Sequence, residues 1–173
     1  MNDYITNQSN QFEDKIVIIT GSTQGSGAET AKLFAARGAK AITICGRQEN
    51  KGIQIKKEIE ELGSKCLYVK ADLSKVEDCK KIVKLTDEKF GTIHSLVNVA
   101  GYTERGTVIS ATLENYENNF NVNARAPFIL IQETVKIMIR DKNKGTIANL
   151  LSMAMYSGMP FLVAYSGSKA ALA

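Results

Sequence analysis

The sequence predicts an α/β protein built on a parallel, doubly wound sheet. Short apolar runs rich in β-branched residues alternate with stretches of helical composition from residue 16 onward. The first run, Ile16-Val17-Ile18-Ile19, is continuously apolar, which suits a strand covered on both faces. A glycine-rich turn joins that run to the first helical stretch. Regular strand–helix alternation means βαβ units and a parallel sheet. Right-handed crossovers then place helices on both faces.

Residues 1–13 are polar, rich in Asn and Gln, and read as a flexible arm ahead of a single domain over residues 14–173. The first strand, 16–19, stops at Thr20-Gly21. A helix over 26–37 carries Ala28, Ala31 and Ala35 on one side and terminates at Gly38. Residues 41–45 form the second strand. A helix over 50–62 ends at Gly63, and 66–69 forms the third strand. Ser74 and Glu77 have capping-box spacing and open a helix running to about Phe90. Residues 93–99 form the fourth strand, 113–140 one long helix, and 146–151 the fifth strand. A last helix is expected from about Ala164.

With 173 residues, the chain is expected to be one domain with a real core. Its composition, 44% hydrophobic and 23% charged, is ordinary for a globular protein. The net charge of +4 is spread along the chain, so a solvated surface is favoured over a nucleic-acid patch. Cys45, Cys66 and Cys79 are odd in number, widely spaced and set among apolar residues. They are expected to be buried free thiols in a reducing compartment. No His/Cys cluster suggests a metal, and the only histidine, His94, is expected to be structural. The first dozen residues are polar and lack an apolar run, so no signal peptide is expected. No apolar run approaches the roughly 20 residues of a membrane span. The expectation is a cytoplasmic protein without nucleic-acid or membrane partners.

The turn reads Thr20-Gly21-Ser22-Thr23-Gln24-Gly25-Ser26-Gly27, with a strand before it and a helix after. This is the physics of a dinucleotide site. Gly21 takes the tight turn, Gly25 lets backbone approach a pyrophosphate, and Gly27 allows close packing of the helix. The helix N-terminus offers free N–H groups and partial positive charge to phosphates. The spacing T-G-x-x-x-G-x-G resembles that of the short-chain dehydrogenase/reductase family. Ser26 stands where the family usually has a branched apolar residue. The resemblance implies a Rossmann-type fold, an NAD(P) cofactor, and phosphate contacts from the whole turn, Gly21 to Gly27.

The second strand ends Ile44-Cys45-Gly46-Arg47. A carboxylate there would bond the adenosine ribose of NAD, whereas an Arg favours the 2′-phosphate of NADP. Gly46 stands in the acid's place, and Arg47 can bind a phosphate through two N–H groups. NADP(H) is therefore favoured over NAD, although the turn itself holds no Lys or Arg. Asp72-Leu73 resembles the family's acid-aliphatic pair beside the adenine, and Asp72 reads equally as a loop cap. Asn98-Val99-Ala100-Gly101 resembles the family's N-N-A-G element. There Ala100 and Gly101 let the cofactor lie against backbone, and Asn98, counted with them among the cofactor-binding residues, also holds the central sheet together.

Tyr165 and Lys169 lie four apart, on one face of a helix. A free phenol titrates near pH 10 and is a poor acid–base group at neutral pH. A neighbouring ammonium favours its ionised form and suits it to proton transfer with a carbonyl or alcohol oxygen. Ser152, thirteen residues before Tyr165, has the placement of the family's catalytic serine; Leu151 replaces the second serine usual there. Asn123 matches the family's catalytic asparagine, whose main-chain carbonyl holds a water linked to the lysine. Pro127 supports that assignment, because it has no N–H to donate to the Asn123 carbonyl.

The resemblance covers about residues 12–173. It implies hydride transfer between NADP(H) and a carbonyl or secondary alcohol, with Ser152, Tyr165, Lys169 and Asn123 catalytic. Lys169 also holds the nicotinamide ribose, and Tyr165 is counted with it among the cofactor-binding residues. Family members continue beyond the last helix and form homodimers or homotetramers, so the fold is expected to be incomplete at its C-terminal edge. Two other readings compete: a non-catalytic dinucleotide-binding fragment or module, and an extended-type sugar-nucleotide epimerase. Retention of all four catalytic residues argues against the first, and the glycine spacing against the second.

Overall fold

A computed structural model describes residues 10–173. The elements follow in order: β1 (Ile16–Ile19), α1 (Gly25–Ala36), β2 (Ala41–Gly46), α2 (Glu49–Glu61), β3 (Lys65–Lys70), α3 (Val76–Phe90) and β4 (Ser95–Asn98). Then come α4 (Leu113–Phe120), a π-helical turn (Asn121–Arg125), α5 (Ala126–Arg140), β5 (Thr146–Asn149), a 3₁₀ turn (Met153–Met155) and α6 (Val163–Leu172).

The five strands form one parallel sheet in the order β3-β2-β1-β4-β5. The chain builds outward from β1 to β3, then crosses back to place β4 on the other side of β1. That reversal opens a crevice beyond the C-terminal ends of β1 and β4, where ligands of open α/β sheets bind. The period-two alternation of β1 feeds both faces. Val17 and Ile19 pack with Ala28, Ala31, Ile55 and Ile59 of α1 and α2. Ile18 packs with Cys79, Ile82, Leu130 and Met138 of α3 and α5. All four β1 side chains are buried, each contributing about 2–3 kcal/mol of apolar burial.

Three local features differ from expectation. Residues 10–13 are not a loose arm: Phe12 stacks on Phe34 at 4.1 Å and its N–H donates to the Arg37 carbonyl. Residues 1–9 of the expected arm lie outside the described residues. The Ser74–Glu77 capping box does not form. The Asp72 carboxylate accepts from both the Ser74 N–H (3.0 Å) and hydroxyl (2.8 Å), which holds Ser74 away from the helix. Asp78, in the first turn of α3, instead accepts from the Asp72 N–H at 2.8 Å. The long helix is broken by the π turn, where the Ala126 N–H reaches back five residues to the Asn121 carbonyl. Pro127 follows at the start of α5. It cannot make the α-register bond to Asn123, and the chain absorbs the lost bond as a π turn.

β5 is an edge strand and largely exposed. Its ties to β4 are polar: Ser95 Oγ to Thr146 Oγ1 at 2.8 Å, and Asn98 Nδ2 donating to Asn149 Oδ1 at 2.9 Å. His94 is structural, its Nδ1 accepting from the Ile16 N–H at 3.1 Å. Cys45, Cys66 and Cys79 are free and buried. Among the described residues no helix is long and apolar enough to cross a membrane.

Candidate active site

The glycine-rich turn leaves β1 with Gly21 at φ +64° and enters α1 through Gly25 at φ +56°, both in the left-handed region that favours glycine. A Cβ on Gly21 would lie 2.7 Å from Ala100 Cα, and one on Gly27 would strike the Gly21 carbonyl. Those two glycines let the turn, α1 and the end of β4 close on one another. A Cβ on Gly25 would meet nothing within 4 Å. Its backbone therefore faces open cleft. Gln24 caps α1 without a side-chain hydrogen bond, so the first-turn N–H groups remain available to an anion. This cradle fits a pyrophosphate.

The cleft is lined by Gly21, Thr23, Gln24, Gly25, Ser26 and Gly27 of the turn, then by Arg47 after β2 and Asp72 and Leu73 after β3. Ala100, Gly101, Tyr102 and Leu150 complete the wall. Two expected cofactor contacts are elsewhere. Ser22 is fully buried, donating to the Ile19 carbonyl and accepting from the Cys45 N–H, so it staples the turn to β2. Asn98 is also buried and spends its amide N–H on Asn149. Sequence reasoning missed Thr20, whose buried Oγ1 accepts from the Val99 and Ala100 N–H groups at 3.2 Å each. That hydroxyl fixes the wall opposite the turn. A threonine directly before the first glycine was the available signal.

Burial alone would raise the Asp72 pKa. The two Ser74 hydrogen bonds, with Arg47 and Lys75 nearby, outweigh it and hold the carboxyl below its ordinary value. Asp72 is thus an ionised loop cap and a cleft residue at once. Gly46 is closely met by Thr23: a Cβ there would strike the Thr23 hydroxyl and lie 2.6 Å from its methyl. The place of an NAD-type acid is filled by Thr23.

α6 carries Tyr165 and Lys169 one turn apart. Lys169 is buried, and its Nζ donates to the Leu150 carbonyl at 2.7 Å. Burial pushes its pKa down. The ammonium lies beside Gly101, 3.7 Å from where a Cβ would stand, and Asn123 Oδ1 lies 3.8 Å from the same point. Lys169 and Asn123 therefore lie against Gly101, which lines the cleft, whereas neither they nor Tyr165 and Ser152 line it themselves. Asn123 Nδ2 donates to Ser168 Oγ at 2.9 Å, and Ser168 Oγ donates to the Tyr165 carbonyl at 2.8 Å. Ser152 follows β5 and accepts from the Ala154 N–H at 3.2 Å, starting the 3₁₀ turn. A serine hydroxyl that accepts there keeps its own proton to donate.

The reversed sheet and phosphate cradle define a dinucleotide-binding α/β protein. A sequence profile of the short chain dehydrogenase family matches residues 15–173, and the chain belongs to that family. It is 37% identical over 161 residues to an uncharacterized oxidoreductase of Thermotoga maritima, covering 93% of this chain and 62% of that one. It is 31% identical over 165 residues to a galactitol 2-dehydrogenase of Agrobacterium fabrum, covering 94% and 62%. A candidate short-chain alcohol dehydrogenase structure from Sinorhizobium meliloti superimposes with a TM-score of 0.88 at 26% identity, covering 94% of this chain and 64% of that one. The chain spans less than two thirds of the length of these relatives.

Proposed function

We propose that this chain is the coenzyme-binding and catalytic part of an NADP(H)-dependent oxidoreductase acting on a carbonyl or secondary alcohol. The observation that supports the reading is the approach of two arrays to one cleft. The phosphate cradle and Arg47 line one end. Lys169 and Asn123 lie buried behind Gly101 of the cleft wall, with Tyr165 one turn from Lys169 on α6. A galactitol 2-dehydrogenase among the relatives fits a secondary alcohol as substrate.

The nicotinamide coenzyme, when bound, supplies or accepts the hydride. The protein's part is geometry and protons. Tyr165 exchanges a proton at its phenol oxygen with the substrate oxygen. Lys169 places a positive charge one helical turn from that phenol and favours its ionised form. The Ser152 hydroxyl donates to the substrate oxygen and holds it in reach. The Asn123 carbonyl, which Pro127 cannot engage, holds a water toward Lys169. Exposed apolar side chains on α4 and α5, Leu113, Phe128 and Ile139, support assembly as a homodimer or homotetramer.

The test is consumption of NADPH against a panel of ketones and aldehydes by the wild type and Tyr165→Phe. The phenylalanine variant should bind NADPH within about twofold of the wild type and lose about 100-fold or more in kcat. Undiminished turnover in Tyr165→Phe removes the phenol from the chemistry. Coenzyme binding without reduction of any carbonyl favours a binding module instead.

A further inference from the structure

We propose that Lys51, in the first turn of α2, is the second cation that recognises the adenosine 2′-phosphate, working beside Arg47. The inference rests on the NADP(H) reading above and adds a specificity-determining residue to it. The glycine-rich turn contains no basic residue. The fold supplies one from elsewhere in the chain: Lys51 Nζ donates to Gln24 Oε1 at 2.7 Å. Gln24 is the N-cap of α1 and lines the cleft. Lys51 is thereby anchored on the rim of the turn, across 27 residues of sequence.

The charges around that rim are unevenly satisfied. Glu49, in the same helical turn as Lys51, pairs with Lys70 at 3.1 Å. Asp72, which lines the same cleft as Arg47, is occupied by the Ser74 N–H and hydroxyl. Among the described residues, neither Arg47 nor Lys51 has a carboxylate within ion-pair distance. An ammonium has three donors. One bond to a neutral amide oxygen leaves two for an anion, and a phosphate dianion is the stronger acceptor. Gln48 makes no side-chain cap at the start of α2, so its first-turn N–H groups add to the same positive field. Gly46, held bare by Thr23, keeps any carboxylate out of the place where it would repel the phosphate.

The experiment compares binding of NADPH and NADH, by the fluorescence of the reduced coenzyme, to the wild type, Arg47→Ala, Lys51→Ala and Lys51→Arg. Adenosine 2′,5′-bisphosphate and 5′-AMP serve as competing probes that differ only in the 2′-phosphate. Lys51→Ala should weaken NADPH and the bisphosphate about fivefold to tenfold and change NADH and 5′-AMP by no more than about twofold. Lys51→Arg should keep the preference. The Lys51→Ala loss should shrink as salt rises, since the group is exposed. A loss in Arg47→Ala with none in Lys51→Ala overturns the Lys51 assignment and leaves the NADP(H) reading standing. Equal losses for both coenzymes in Lys51→Ala overturn it also, because the residue then serves no 2′-phosphate. A wild type that prefers NADH, or binds neither coenzyme, overturns the NADP(H) reading and Lys51 with it.

Discussion

Asn123 pairs its side-chain amide with both main-chain groups of Tyr102: Oδ1 accepts from the N–H and Nδ2 donates to the carbonyl, each at 2.8 Å. The same Nδ2 donates to Ser168 on α6. One fully buried amide thus fastens the segment after β4 to the helix that carries Tyr165 and Lys169. Asn123→Ala leaves both Tyr102 groups unpaired, at an expected cost of about 2–4 kcal/mol. Asn123→Asp keeps one acceptor, loses both donors and buries a charge, so it should be no more stable. Urea unfolding should show a lower midpoint for both at unchanged slope. An alanine variant as stable as the wild type contradicts the fastening role.

Gly46 and Thr23 make a second coupled pair. An acid at the end of β2, as in Gly46→Asp, is the direct way to turn an NADP site toward NAD. Here the new Cβ meets the Thr23 side chain. The single variant should therefore weaken NADPH and NADH alike and cost about 1–3 kcal/mol of stability. Adding Thr23→Ala should restore stability and tighten NADH relative to NADPH. Non-additivity in a double-mutant cycle over both positions is the measurement that decides it.

The parts legible in sequence were those where one residue type implies one environment. Ile16–Ile19 suited a strand buried on both faces, and Ala28, Ala31 and Ala35 marked one side of a helix, the side that is buried. Motif residues were harder, because a position in a motif does not give a side chain's direction. Ser22 sits inside the phosphate turn yet points into β2. Asn98 sits beside the cleft yet serves β5. Pro127 announced a disturbed helix, but apolar periodicity could not show that a π turn would absorb it. Contacts far apart in sequence were invisible: Lys51 on Gln24 and Phe12 on Phe34. A local competition was missed as well, Asp72 taking the Ser74 hydroxyl that the expected cap required.

The three thiols set the alkaline limit of the fold. Burial is the first cause in each case, pushing Cys45 and Cys66 up to about 12 and Cys79 to about 11. A raised folded-state pKa favours the neutral thiol in the native protein. That stability is whole below the unfolded value near 9 and is lost as pH rises toward the folded values. Each thiol then removes up to about 1.4 kcal/mol per pH unit in that window. Stability measured by urea should fall from about pH 9, and a thiol reagent should label none of the three in the native state at pH 8. Labelling of a folded protein at pH 8 contradicts the burial argument.

His94 contributes to the acid limb. Burial first, then Lys15 and Lys40, hold its pKa below the ordinary imidazole value. Its Nδ1 is the acceptor for the Ile16 N–H at the start of β1, so protonation removes the acceptor. A depressed folded pKa means stability that is present above about pH 6.5 and lost as pH falls through the folded value. His94→Ala should cost about 1–3 kcal/mol at pH 7.5 and flatten the acid limb of the stability profile. A variant whose acid limb matches the wild type assigns that limb to the carboxylates instead.

Lys169 should be a residue that the fold would be better without. It is 3% exposed, and its one protein hydrogen bond among the described residues goes to a neutral carbonyl. Burial depresses its pKa, so the unfolded chain holds the proton more tightly. At neutral pH the buried ammonium therefore costs stability, and that cost is relieved only as pH climbs toward the ordinary lysine value. Lys169→Met keeps an unbranched chain of similar length and removes the charge. The Leu150 carbonyl it abandons lies on an edge segment after β5, and Leu150 as a residue is 50% exposed. Lys169→Met should then gain on the order of 1 kcal/mol in stability while losing about 100-fold or more in kcat. Thermal melts and turnover on the same preparation test the trade directly. A methionine variant that melts well below the wild type would mean that the bond to Leu150 outweighs desolvation, and that Lys169 holds β5 to α6 as well as serving the chemistry.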